Sequence, residues 1–546
     1  MFIGSLFTNL KEIGIMELKT AYFSMEIALE NDIKTYSGGL GVLAGDTLRS
    51  AADLDYPILG VTLLYRNGFI KQVLEDGEQK EEPDKWDIDR LQHLDVYTSI
   101  EIFGRTVDIT AYQYTIQGEN GEVPVILLDT DLDSNEDYDR SLTERLYLGD
   151  DEYRLAQEAV LGIGGFRILE ELGYRPNHYH MNEGHSCLLT TELFGREDIQ
   201  EKCIFTTHTP VKAGHDVFDK DTVRKVLTTT SKKLEDRGFE SLNTTELALE
   251  YSGFVNAVSE KHENVSSQMF PDYDFDSVTN GVHSTTWTNP YLREVLDSEI
   301  GAWRCQPGML SRAFKIDDRK LWNAKIEAKK ELIDYIREET GEEFEQDVFT
   351  IGFARRATGY KRPTLLFKDI ERLESLGELQ IVYAGKAHPD DTQGKHFIKK
   401  INRYADILEN VKLVFLEDYD MNVTKKMVSG TDLWLNTPLR GKEASGTSGM
   451  KAALNGVPQL SVLDGWWIEG HIEDVTGWSI GENYVEGENQ DEIDSASIYQ
   501  KLEHAQSLYF DDRKKWIEIM KSCIAINGSY FTTDRMFKEY VTKAYR

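Results

Sequence analysis

The chain has 546 residues, of which 40% are hydrophobic and 11% aromatic. This length and composition allow more than one globular domain and exclude a disordered or collagen-like chain. The 95 acidic residues outnumber the 61 lysines and arginines, which gives a formal net charge of −34 at pH 7. A chain this acidic repels nucleic acids and anionic membrane surfaces, so we expect neither as a partner.

The four cysteines lie far apart and form no CxxC pair, which argues against a disulfide framework and a zinc site. The amino-terminal segment has no basic region leading into a sustained apolar stretch, and no later segment approaches the ~18 apolar residues of a membrane span. We therefore expect a cytoplasmic protein with no metal site. Met16 opens the first well-patterned segment and is an alternative start to Met1.

The first half of the chain alternates helical patterns with short apolar runs. Residues 154–173 are predicted to form a helix, because apolar residues recur at spacings of three and four and Gly173 is a typical stop. Residues 178–186 (HYHMNEGHS) follow, and residues 202–210 (KCIFTTHTP) then form a predicted strand that ends in polar residues. This half therefore has an α/β pattern, although it is less regular than the second half.

The second half contains apolar runs that end in polar or glycine residues and alternate with helical patterns. The runs are at residues 348–356, 379–388, 411–420, 431–438 and 458–467, and the helical patterns between them are at 362–377 and 395–410. Such alternation is typical of a parallel sheet that is covered on both faces. In these sheets ligands bind beyond the carboxyl ends of the strands, so the residues that follow the strands are candidate site residues.

A polar, acidic segment at residues 341–346 separates a helical pattern from a strand and indicates a domain boundary. We therefore expect an α/β protein with two domains that face each other across a cleft, at residues 1–344 and 345–546. The last segment, residues 534–545, is amphipathic and is expected to dock on the protein.

A glycine-rich segment, TYSGGLGVLAGD at residues 35–46, precedes a helical pattern. Gly38, Gly39 and Gly41 lack a Cβ atom and let backbone N–H groups approach an anion, which the start of a helix also favours. The spacing differs from the GxGxxG dinucleotide fingerprint. The pattern by itself leaves an ordinary turn as an alternative.

A basic segment, RRATGYKR at residues 355–362, follows one of the apolar runs. Arg355, Arg356 and Lys361 have the side chains that bind phosphate, arginine through its planar fork and lysine as a point charge. In a chain with a net charge of −34, this cluster indicates an anion site at the end of a strand. Salt bridges to neighbouring acidic residues are the alternative.

The segment EASGTSGMK at residues 443–451 is a loop of small residues that ends in a lysine. Its hydroxyl and N–H groups suit an anion, and Lys451 has three candidate roles: a phosphate ligand, an amine for a Schiff base and an ordinary charged residue. The pattern GxxxxGK[ST] is not met, because Ala452 follows the lysine. Spacing does not choose among these roles.

Two further strand ends carry polar residues. His208 lies in THTPVKAGHDVF, and Asn280, His283 and Trp287 lie in SVTNGVHSTTW. A single histidine more often has a structural role than a catalytic one, and Asn-Gly is a common turn. Each segment by itself is weak support for a site.

Together and in this order, these segments resemble the α-glucan phosphorylases, the family that acts on glycogen, starch and maltodextrin. EASGTSGMKAALNG resembles the cofactor-lysine segment of that family, SGGLG its glycine-rich loop and RRATGYKR its phosphate-binding segment. THT resembles the strand end with its active-site histidine, and TNGVHSTTW its sugar-contacting Asn-Gly followed by Trp. The resemblance covers nearly the whole chain and implies two Rossmann-like domains of the GT-B type, with the last helix packed on the first domain.

The resemblance implies that Lys451 carries pyridoxal 5′-phosphate as a Schiff base. The other residues implied to surround this cofactor are Gly39, Arg355, Thr447, Ser448, Tyr419 and Trp287. Arg356 and Lys361 are implied to hold inorganic phosphate, and with Lys451 and His208 they form the implied catalytic set. The residues implied to bind the terminal glucose are Leu40, His208, Asn280, Glu443, Ser445 and Gly446.

The implied reaction is attack by phosphate on a terminal α-1,4-linked glucose with retention of configuration, which yields α-glucose 1-phosphate and a shorter glucan. The implied proton relay runs through the cofactor phosphate, so no hydrolase-type pair of carboxylates is required. Two adjacent phosphates repel each other, which explains the dense basic site. The implied partners are the glucan, phosphate and glucose 1-phosphate, and a homo-oligomer is left open.

The chain departs from the long animal and plant members of this family at several positions. Ala28 stands where they place an aromatic residue against the cofactor, Arg355 stands where they have lysine, and Trp466 and Trp467 lie in a segment that differs from theirs. These features resemble the shorter bacterial and archaeal branch. No counterpart of the regulatory extension is evident, so control by phosphorylation or nucleotides of the vertebrate type is not expected.

Two other functions are compatible with this architecture. A nucleotide-sugar glycosyltransferase of the glycogen synthase type shares the two domains but uses no pyridoxal phosphate. An inactive glucan-binding protein is expected to have lost site residues, whereas Lys451, Arg356, Lys361, His208 and Asn280 are all present. We therefore expect an active phosphorylase.

Overall fold

The computed structural model of the chain describes residues 18–485, 487 and 489–546. The alternative start at Met16 lies outside these residues. The strands, in chain order, are β1 (Thr20–Ser24), β2 (Ile58–Leu63), β3 (Lys71–Glu75), β4 (Glu78–Glu82), β5 (Gln92–Ile102), β6 (Arg105–Gln117), β7 (Glu122–Asp129), β8 (His178–Asn182), β9 (Cys203–Thr206), β10 (Val217–Phe218), β11 (Leu242–Asn243), β12 (Phe254–Ala257), β13 (Asp276–Ser277), β14 (Thr350–Ala354), β15 (Leu379–Ala384), β16 (Val411–Leu416), β17 (Leu433–Asn436), β18 (Gln459–Val462) and β19 (Gly477–Ile480).

Helices connect most of these strands, and shorter 3₁₀ and π turns lie between them. The α-helices are α1 (Gly39–Asp53), α2 (Asp137–Arg140), α3 (Asp151–Ala159), α4 (Gly165–Glu171), α5 (Thr190–Leu193), α6 (Ile199–Lys202), α7 (Lys220–Val226), α8 (Thr228–Glu235), α9 (Thr244–Tyr251), α10 (Glu260–Met269), α11 (Ser284–Trp287), α12 (Pro290–Glu299), α13 (Asp318–Thr340), α14 (Ile370–Glu374), α15 (Thr392–Ala405), α16 (Met421–Gly430), α17 (Ser448–Leu454), α18 (Trp467–Gly470), α19 (Gln490–Asp511), α20 (Arg513–Ser522) and α21 (Thr533–Lys543).

The first half of the chain forms a nine-stranded sheet with the order β13-β12-β9-β8-β1-β2-β7-β6-β5. Its strands run parallel from β13 to β7, whereas β6 is antiparallel to both β7 and β5. Phe103 (φ 52°) and Gly104 (φ 71°) form the two-residue turn between β5 and β6, and positive φ at both positions is typical of the tight hairpin turn. The sequence patterns do not predict this antiparallel edge.

The second half forms a six-stranded, fully parallel sheet with the order β16-β15-β14-β17-β18-β19. Most residues of these strands are buried, as expected for strands that are covered on both faces. All five predicted apolar runs contain a strand of this sheet. The mixed α/β class with large parallel sheets is therefore confirmed.

The helical patterns are confirmed in two places and wrong in part in a third. Residues 154–173 are helical up to Glu171 through α3, a π turn (Val160–Gly164) and α4, and Gly173 follows with φ 82°. The pattern at 395–410 corresponds to α15. The pattern at 362–377 contains only a 3₁₀ turn (Leu365–Phe367) and the short α14, because Asp369 caps a new helix start there by accepting from the N–H of Arg372.

Residues 341–346 have no regular structure. Gly341, with φ 75°, ends α13 in the left-handed conformation that favours glycine. Phe344 within this segment is buried in a core cluster, so the segment is anchored to the protein. The domain boundary at residue 344 stays a prediction.

The carboxyl-terminal segment, α21 and the residues after it, packs on the first half of the chain through apolar, aromatic and polar groups. Met536 and Phe537 of α21 are buried in a cluster with residues of α1. The hydroxyl of Tyr545 lies 2.6 Å from Nδ1 of His180 in β8, and Nε2 of the same histidine lies 2.8 Å from the hydroxyl of Thr206. Since Thr206 donates its own proton to Asn256, it accepts from Nε2 of His180, and the histidine accepts from Tyr545.

None of the helices in the described part of the chain combines the length and apolarity needed to cross a membrane. All four cysteines are free, and Cys187, Cys203 and Cys523 are buried.

We expect Tyr545→Phe to lower the melting temperature by roughly 1 to 5 °C, because it leaves the buried Nδ1 of His180 without its donor. Differential scanning calorimetry measures the shift. The exposed Tyr530 provides the matched control Tyr530→Phe, which is expected to leave the melting temperature unchanged. Equal shifts in the two variants would show that the Tyr545 hydroxyl does not secure the carboxyl terminus.

Candidate active site

A cavity of about 580 Å³ is lined by loops from both sheets. Loops that follow strands of the first sheet contribute Glu26 and His208, and loops that follow strands of the second sheet contribute Arg355, Lys386 and Tyr419. The carboxyl ends of parallel strands are where ligands bind in α/β sheets. The cavity is therefore a candidate active site.

The structure brings nearly all of the residues predicted for the site to this cavity. Those that line it are Gly39, Leu40, His208, Asn280, Arg355, Arg356, Lys361, Tyr419, Glu443, Ser445, Gly446, Thr447, Ser448 and Lys451. Trp287 is buried behind this lining, and its ring centroid lies 4.0 Å from Nζ of Lys451. Residues that are far apart in sequence thus meet in one place.

Lys451 lies in α17 and is 5% exposed. Its ammonium group stands over the ring of Trp287, whose indole N–H donates to Asp46 at 2.6 Å. Burial lowers the pKa of Lys451 to about 8, and the negative charge of Asp46 opposes this shift. A lysine with this pKa presents more neutral amine near neutral pH than an exposed lysine does, which suits attack on a carbonyl group.

The glycine-rich loop begins α1 without a capping side chain. Gly38 is the N-cap residue, and a Cβ atom at Gly38 or Gly39 would meet no other atom within 4 Å. Since the first N–H groups of a helix have no intrahelical acceptor, this loop offers donors and space to an anion.

Glu26 organises this loop and was missed by the sequence analysis. One of its carboxylate oxygens, Oε2, accepts from the N–H groups of Ser37 at 2.6 Å and Gly38 at 3.0 Å. A Cβ atom at Gly41 would lie 2.7 Å from the same oxygen, so glycine is required there. The available signal was the position of Glu26 two residues after β1, near the end of a parallel strand.

The basic segment meets a carboxylate in the cavity. Arg355 pairs with Oε2 of Glu443, and Nζ of Lys361 lies 3.4 Å from both carboxylate oxygens. Burial opposes ionisation of Glu443, but Arg355 and Lys361 outweigh it and hold the pKa of this carboxyl below its usual range. Arg356 is exposed and has no ion pair among the described residues. Arg355 and Lys361 therefore form the salt bridges that were the alternative to an anion site, whereas Arg356 does not.

Asp464 in the segment DGWW holds the loop that carries Glu443, and it was also missed. Its Oδ2 accepts from the N–H groups of Lys442 at 3.1 Å and Glu443 at 3.0 Å. Burial raises the pKa of Asp464 to about 6. Gly465 adopts φ 51°, and a Cβ atom there would lie 2.4 Å from the carbonyl oxygen of Ser445. Asp464 and Gly465 therefore pack directly against the backbone of the small-residue loop and hold it in place.

His208 is held in a single tautomer by its neighbours. Burial lowers the pKa of His208 to about 3, so the ring is neutral. Its Nε2 lies 2.7 Å from Oδ1 of Asn182. Nδ2 of Asn182 donates to Ser24, which donates its own proton to a backbone carbonyl. This chain makes Oδ1 the acceptor, so Nε2 carries the proton and Nδ1 of His208 is an acceptor.

Glu183 positions the backbone of His208 from a strained conformation, and the sequence analysis did not single it out. It has φ 77° and ψ 166°, a region that non-glycine residues rarely adopt. Its carboxylate accepts from the N–H of His208 at 2.7 Å and from the hydroxyl of Thr209 at 3.0 Å. Burial raises the pKa of Glu183 to about 7. Its position directly after β8 was the available signal.

The cavity suits a ligand with an aldehyde, a ring and a phosphate group. Lys451 offers an amine of lowered pKa, and the glycine-rich loop offers donors to an anion. Nη1 of Arg355, Oγ of Ser445 and Oδ1 of Asn280 are buried and have no hydrogen-bond partner. Such orphaned polar atoms indicate a polar ligand. The residues present therefore fit pyridoxal 5′-phosphate.

The substitution at Ala28 does not leave this region without aromatic rings. Ala28 is buried in the core cluster that contains Val42 and Trp287, and Tyr36 packs against the same cluster. Tyr36 also lines the cavity.

No group of three or more metal-ligating side chains that could hold an ion occurs in the described ranges.

The sequence matches the family described as carbohydrate phosphorylase over residues 17–132 and 216–498. It is 37% identical to a maltodextrin phosphorylase of Thermococcus litoralis, across 96% of this chain and 70% of the relative. A glycogen phosphorylase of Aquifex aeolicus is 35% identical, across 96% of this chain and 85% of the relative. An uncharacterized protein of Methanocaldococcus jannaschii is 33% identical, across 96% of this chain and 99% of the relative. These relatives are bacterial and archaeal, as the sequence analysis expects.

We expect Lys451 in cofactor-free protein to react with formaldehyde and cyanoborohydride with a midpoint near pH 8, because burial lowers the pKa of Lys451 to about 8. The neutral amine is the nucleophile, so labelling rises as the proton is lost between about pH 7 and 9. Mass mapping of the labelled peptides measures the profile, and exposed lysines in the same digests are the reference. A profile that coincides with theirs would contradict the lowered pKa.

Proposed function

The chain belongs to the carbohydrate phosphorylase family, and from this premise we propose that it is an α-1,4-glucan phosphorylase. In the proposed reaction, inorganic phosphate and the terminal glucose of a glucan form α-glucose 1-phosphate and a glucan one unit shorter. The observation that carries the proposal is that Lys451, the basic segment and His208 line one cavity. Free cysteines are typical of a reducing compartment, and we place the reaction in the cytoplasm.

The proposed architecture is two Rossmann-like domains of the GT-B type, residues 1–344 and 345–546, with the substrate in the cleft between them. Hydrogen bonds between the two halves support it: the hydroxyl of Ser259 donates to the carbonyl of Ala444 at 2.6 Å, and the N–H of Met421 donates to the hydroxyl of Tyr36 at 3.1 Å. Both halves contribute residues to the cavity.

We propose pyridoxal 5′-phosphate as the cofactor, with Lys451 as its covalent attachment point. The residues proposed to bind its phosphate are Gly39, Arg355, Thr447 and Ser448, and those proposed to pack on its ring are Trp287 and Tyr419. The chemistry that this cofactor supplies when bound is acid–base chemistry at its phosphate group. Thr447 and Ser448 lie at the start of α17, where helix N–H groups favour an anion.

Arg356 and Lys361 are proposed to bind the substrate phosphate. Arg356 is the exposed arginine of the basic segment, and Nζ of Lys361 is 3.4 Å from Glu443, which is longer than a well-formed ion-pair hydrogen bond. Both cations are therefore available to an incoming anion at little cost. Their charge also offsets the repulsion between this phosphate and a second phosphate beside it.

His208 and the small-residue loop are proposed to orient the terminal glucose. Because Nε2–H of His208 is committed to Asn182, the ring presents Nδ1, which accepts from a sugar hydroxyl. The residues proposed to bind the other sugar hydroxyls and the sugar ring are Leu40, Asn280, Glu443, Ser445 and Gly446. Fixing the sugar in one orientation favours attack on the face that retains the α configuration.

Catalysis in this proposal depends on charge placement and exclusion of water. Positive charge that develops on the sugar ring is balanced by the phosphate that Arg356 and Lys361 hold, and the same phosphate protonates the leaving glycosidic oxygen. Water has to be kept from the anomeric carbon, because it would give glucose instead of glucose 1-phosphate.

The assay that tests the proposal supplies maltoheptaose, inorganic phosphate and pyridoxal 5′-phosphate, and NMR then identifies α-glucose 1-phosphate. Release of free glucose alone would contradict the proposal.

We expect Lys451→Ala to abolish phosphorolysis and cofactor retention while the chain stays folded, because the ammonium group lines the cavity and does not fill the core. Assays of α-glucose 1-phosphate formation and the visible absorbance spectrum measure the two losses, and circular dichroism checks the fold. Lys330→Ala, at an exposed lysine of α13, is the matched control and is expected to behave as wild type. Retained activity in Lys451→Ala would refute the assignment of this lysine.

We expect Arg356→Ala to raise the KM for phosphate by roughly tenfold to a hundredfold, which is the cost of losing about 1.5–3 kcal/mol of charge-assisted hydrogen bonding. The KM for the glucan is expected to change little, because the sugar-binding residues belong to other segments. Initial-rate kinetics with one substrate varied at a time separates the two constants. An unchanged KM for phosphate would move the phosphate site away from Arg356.

A further inference from the structure

A buried carboxylate outside the cavity connects two of the loops that line it. Asp494 in α19 is fully buried. Its Oδ2 accepts from Nη2 of Arg362 at 2.5 Å, and its Oδ1 accepts from Nη1 of Arg440 at 3.0 Å. Arg362 ends the basic segment at residues 355–362, and Arg440 lies three residues before Glu443. One buried carboxylate thus pairs with two guanidinium groups from two site-forming loops, and Asp491 at the surface also pairs with Arg362 at 2.8 Å.

Arg362 links Asp494 to the backbone of Lys361 through a chain of hydrogen bonds. Its backbone has φ 45°, in the left-handed region, directly after the short 3₁₀ turn that ends at Lys361. Its guanidinium donates to the carbonyl oxygens of Thr437 and Pro438, both at 2.9 Å. The hydroxyl of Thr437 donates in turn to the carbonyl of Lys361 at 2.9 Å. The position of Lys361 therefore depends on where Arg362 is held.

Arg440 anchors the same carboxylate to the second sheet. Its Nη2 donates to the carbonyl oxygens of Ile480 at 2.9 Å and Gly481 at 2.8 Å, at the end of β19. A Cβ atom at Gly481 would lie 1.9 Å from Oδ1 of Asp494, so this residue has to be glycine for the pair to form. The connection between the carboxylate, the two arginines and the sheet is thus closely packed.

We propose that Asp494 is a positioning residue for the phosphate-binding segment, acting through Arg362 on Lys361, an inference that rests on the proposed function. Without this carboxylate Arg440 loses its ion-pair partner and Arg362 keeps only Asp491, whose side chain is half-exposed, and buried charges that lose a partner rearrange. The segment between Arg355 and Lys361 has little regular structure, so its geometry depends on such side-chain contacts. Misplacement by about 1 Å is enough to weaken a binding site strongly.

The effect is expected to fall on phosphate more than on the glucan. The loop that carries Glu443 has a separate anchor, because Asp464 accepts from the N–H groups of Lys442 and Glu443. Lys361 reaches Glu443 only with its side-chain Nζ, at 3.4 Å, whereas its backbone is held through Thr437 and Arg362. A general loss of stability would not make this distinction between the two substrates.

The test compares Asp494→Asn with Glu492→Gln, which removes one negative charge from the same end of α19. Glu492 pairs with Lys368 at the surface, and its side chain is 65% exposed. We expect Asp494→Asn to weaken binding of inorganic phosphate at least tenfold, measured by isothermal titration calorimetry of the holoenzyme, and to change the KM for maltoheptaose less than twofold. Glu492→Gln is expected to match wild type in both.

A double-variant cycle tests whether the effect passes through Arg362. If it does, Asp494→Asn adds no further loss of phosphate affinity to Arg362→Met, whereas independent effects would add. Additive losses, or equal losses for phosphate and glucan, would overturn the inference. If Asp494→Asn does not fold by circular dichroism, Asp494→Glu keeps the charge and shifts it by one methylene, and the same preferential loss for phosphate is expected, smaller in size.

The calorimetric readout separates this inference from the proposed function. A wild-type protein that binds phosphate through Asp494-dependent contacts but forms no α-glucose 1-phosphate would refute the phosphorylase proposal and leave the positioning role supported. If wild type forms α-glucose 1-phosphate and Asp494→Asn binds phosphate as tightly as wild type does, the phosphorylase proposal is supported and the positioning role is refuted.

Discussion

The burial of the Lys451 amine is the constraint on which the rest of the site depends. An ammonium group in this position is costly, and burial lowers the pKa of Lys451 to about 8. The ring of Trp287 beneath it comes from the other half of the chain. Asn455 of the segment after α17 donates to the carbonyl of Trp287 at 2.8 Å and accepts from the N–H of Asn289 at 2.9 Å. The reactive lysine therefore exists only where the two halves pack together.

The cavity that contains this lysine also brings together basic and acidic side chains. The protein carries a net charge of −34, yet the cavity collects Arg355, Arg356 and Lys361 at the end of β14. Glu443 partly neutralises them in the structure, and its backbone is held by a further carboxylate, Asp464. One carboxylate thus pairs with basic side chains and a second holds its backbone, and the proposed anion sites are at the basic side chains that line the cavity. Such preorganised charge is what the proposed reaction requires, because it places a substrate phosphate beside a cofactor phosphate and their repulsion has to be offset.

The sequence predicts the second sheet well, because its strands are buried on both faces and appear as continuous apolar runs. It does not predict the antiparallel edge formed by β5 and β6, where exposed and buried residues mix. The family resemblance predicts residues that do line one cavity. Glu26 and Glu183 follow strand ends, but among 95 acidic residues that position alone does not single them out. Asp464 and Asp494 escape prediction because their partners are backbone N–H groups or distant arginines.

The most direct test of Lys451 as the cofactor attachment point is the absorbance spectrum of the purified protein before and after borohydride reduction, followed by mass mapping of any reduced adduct. We predict a pyridoxal band that is lost on reduction and an adduct fixed to Lys451, since its amine is the one of lowered pKa that lines the cavity. A protein that takes up no pyridoxal 5′-phosphate when it is supplied, or that carries the adduct on another lysine, would contradict this assignment.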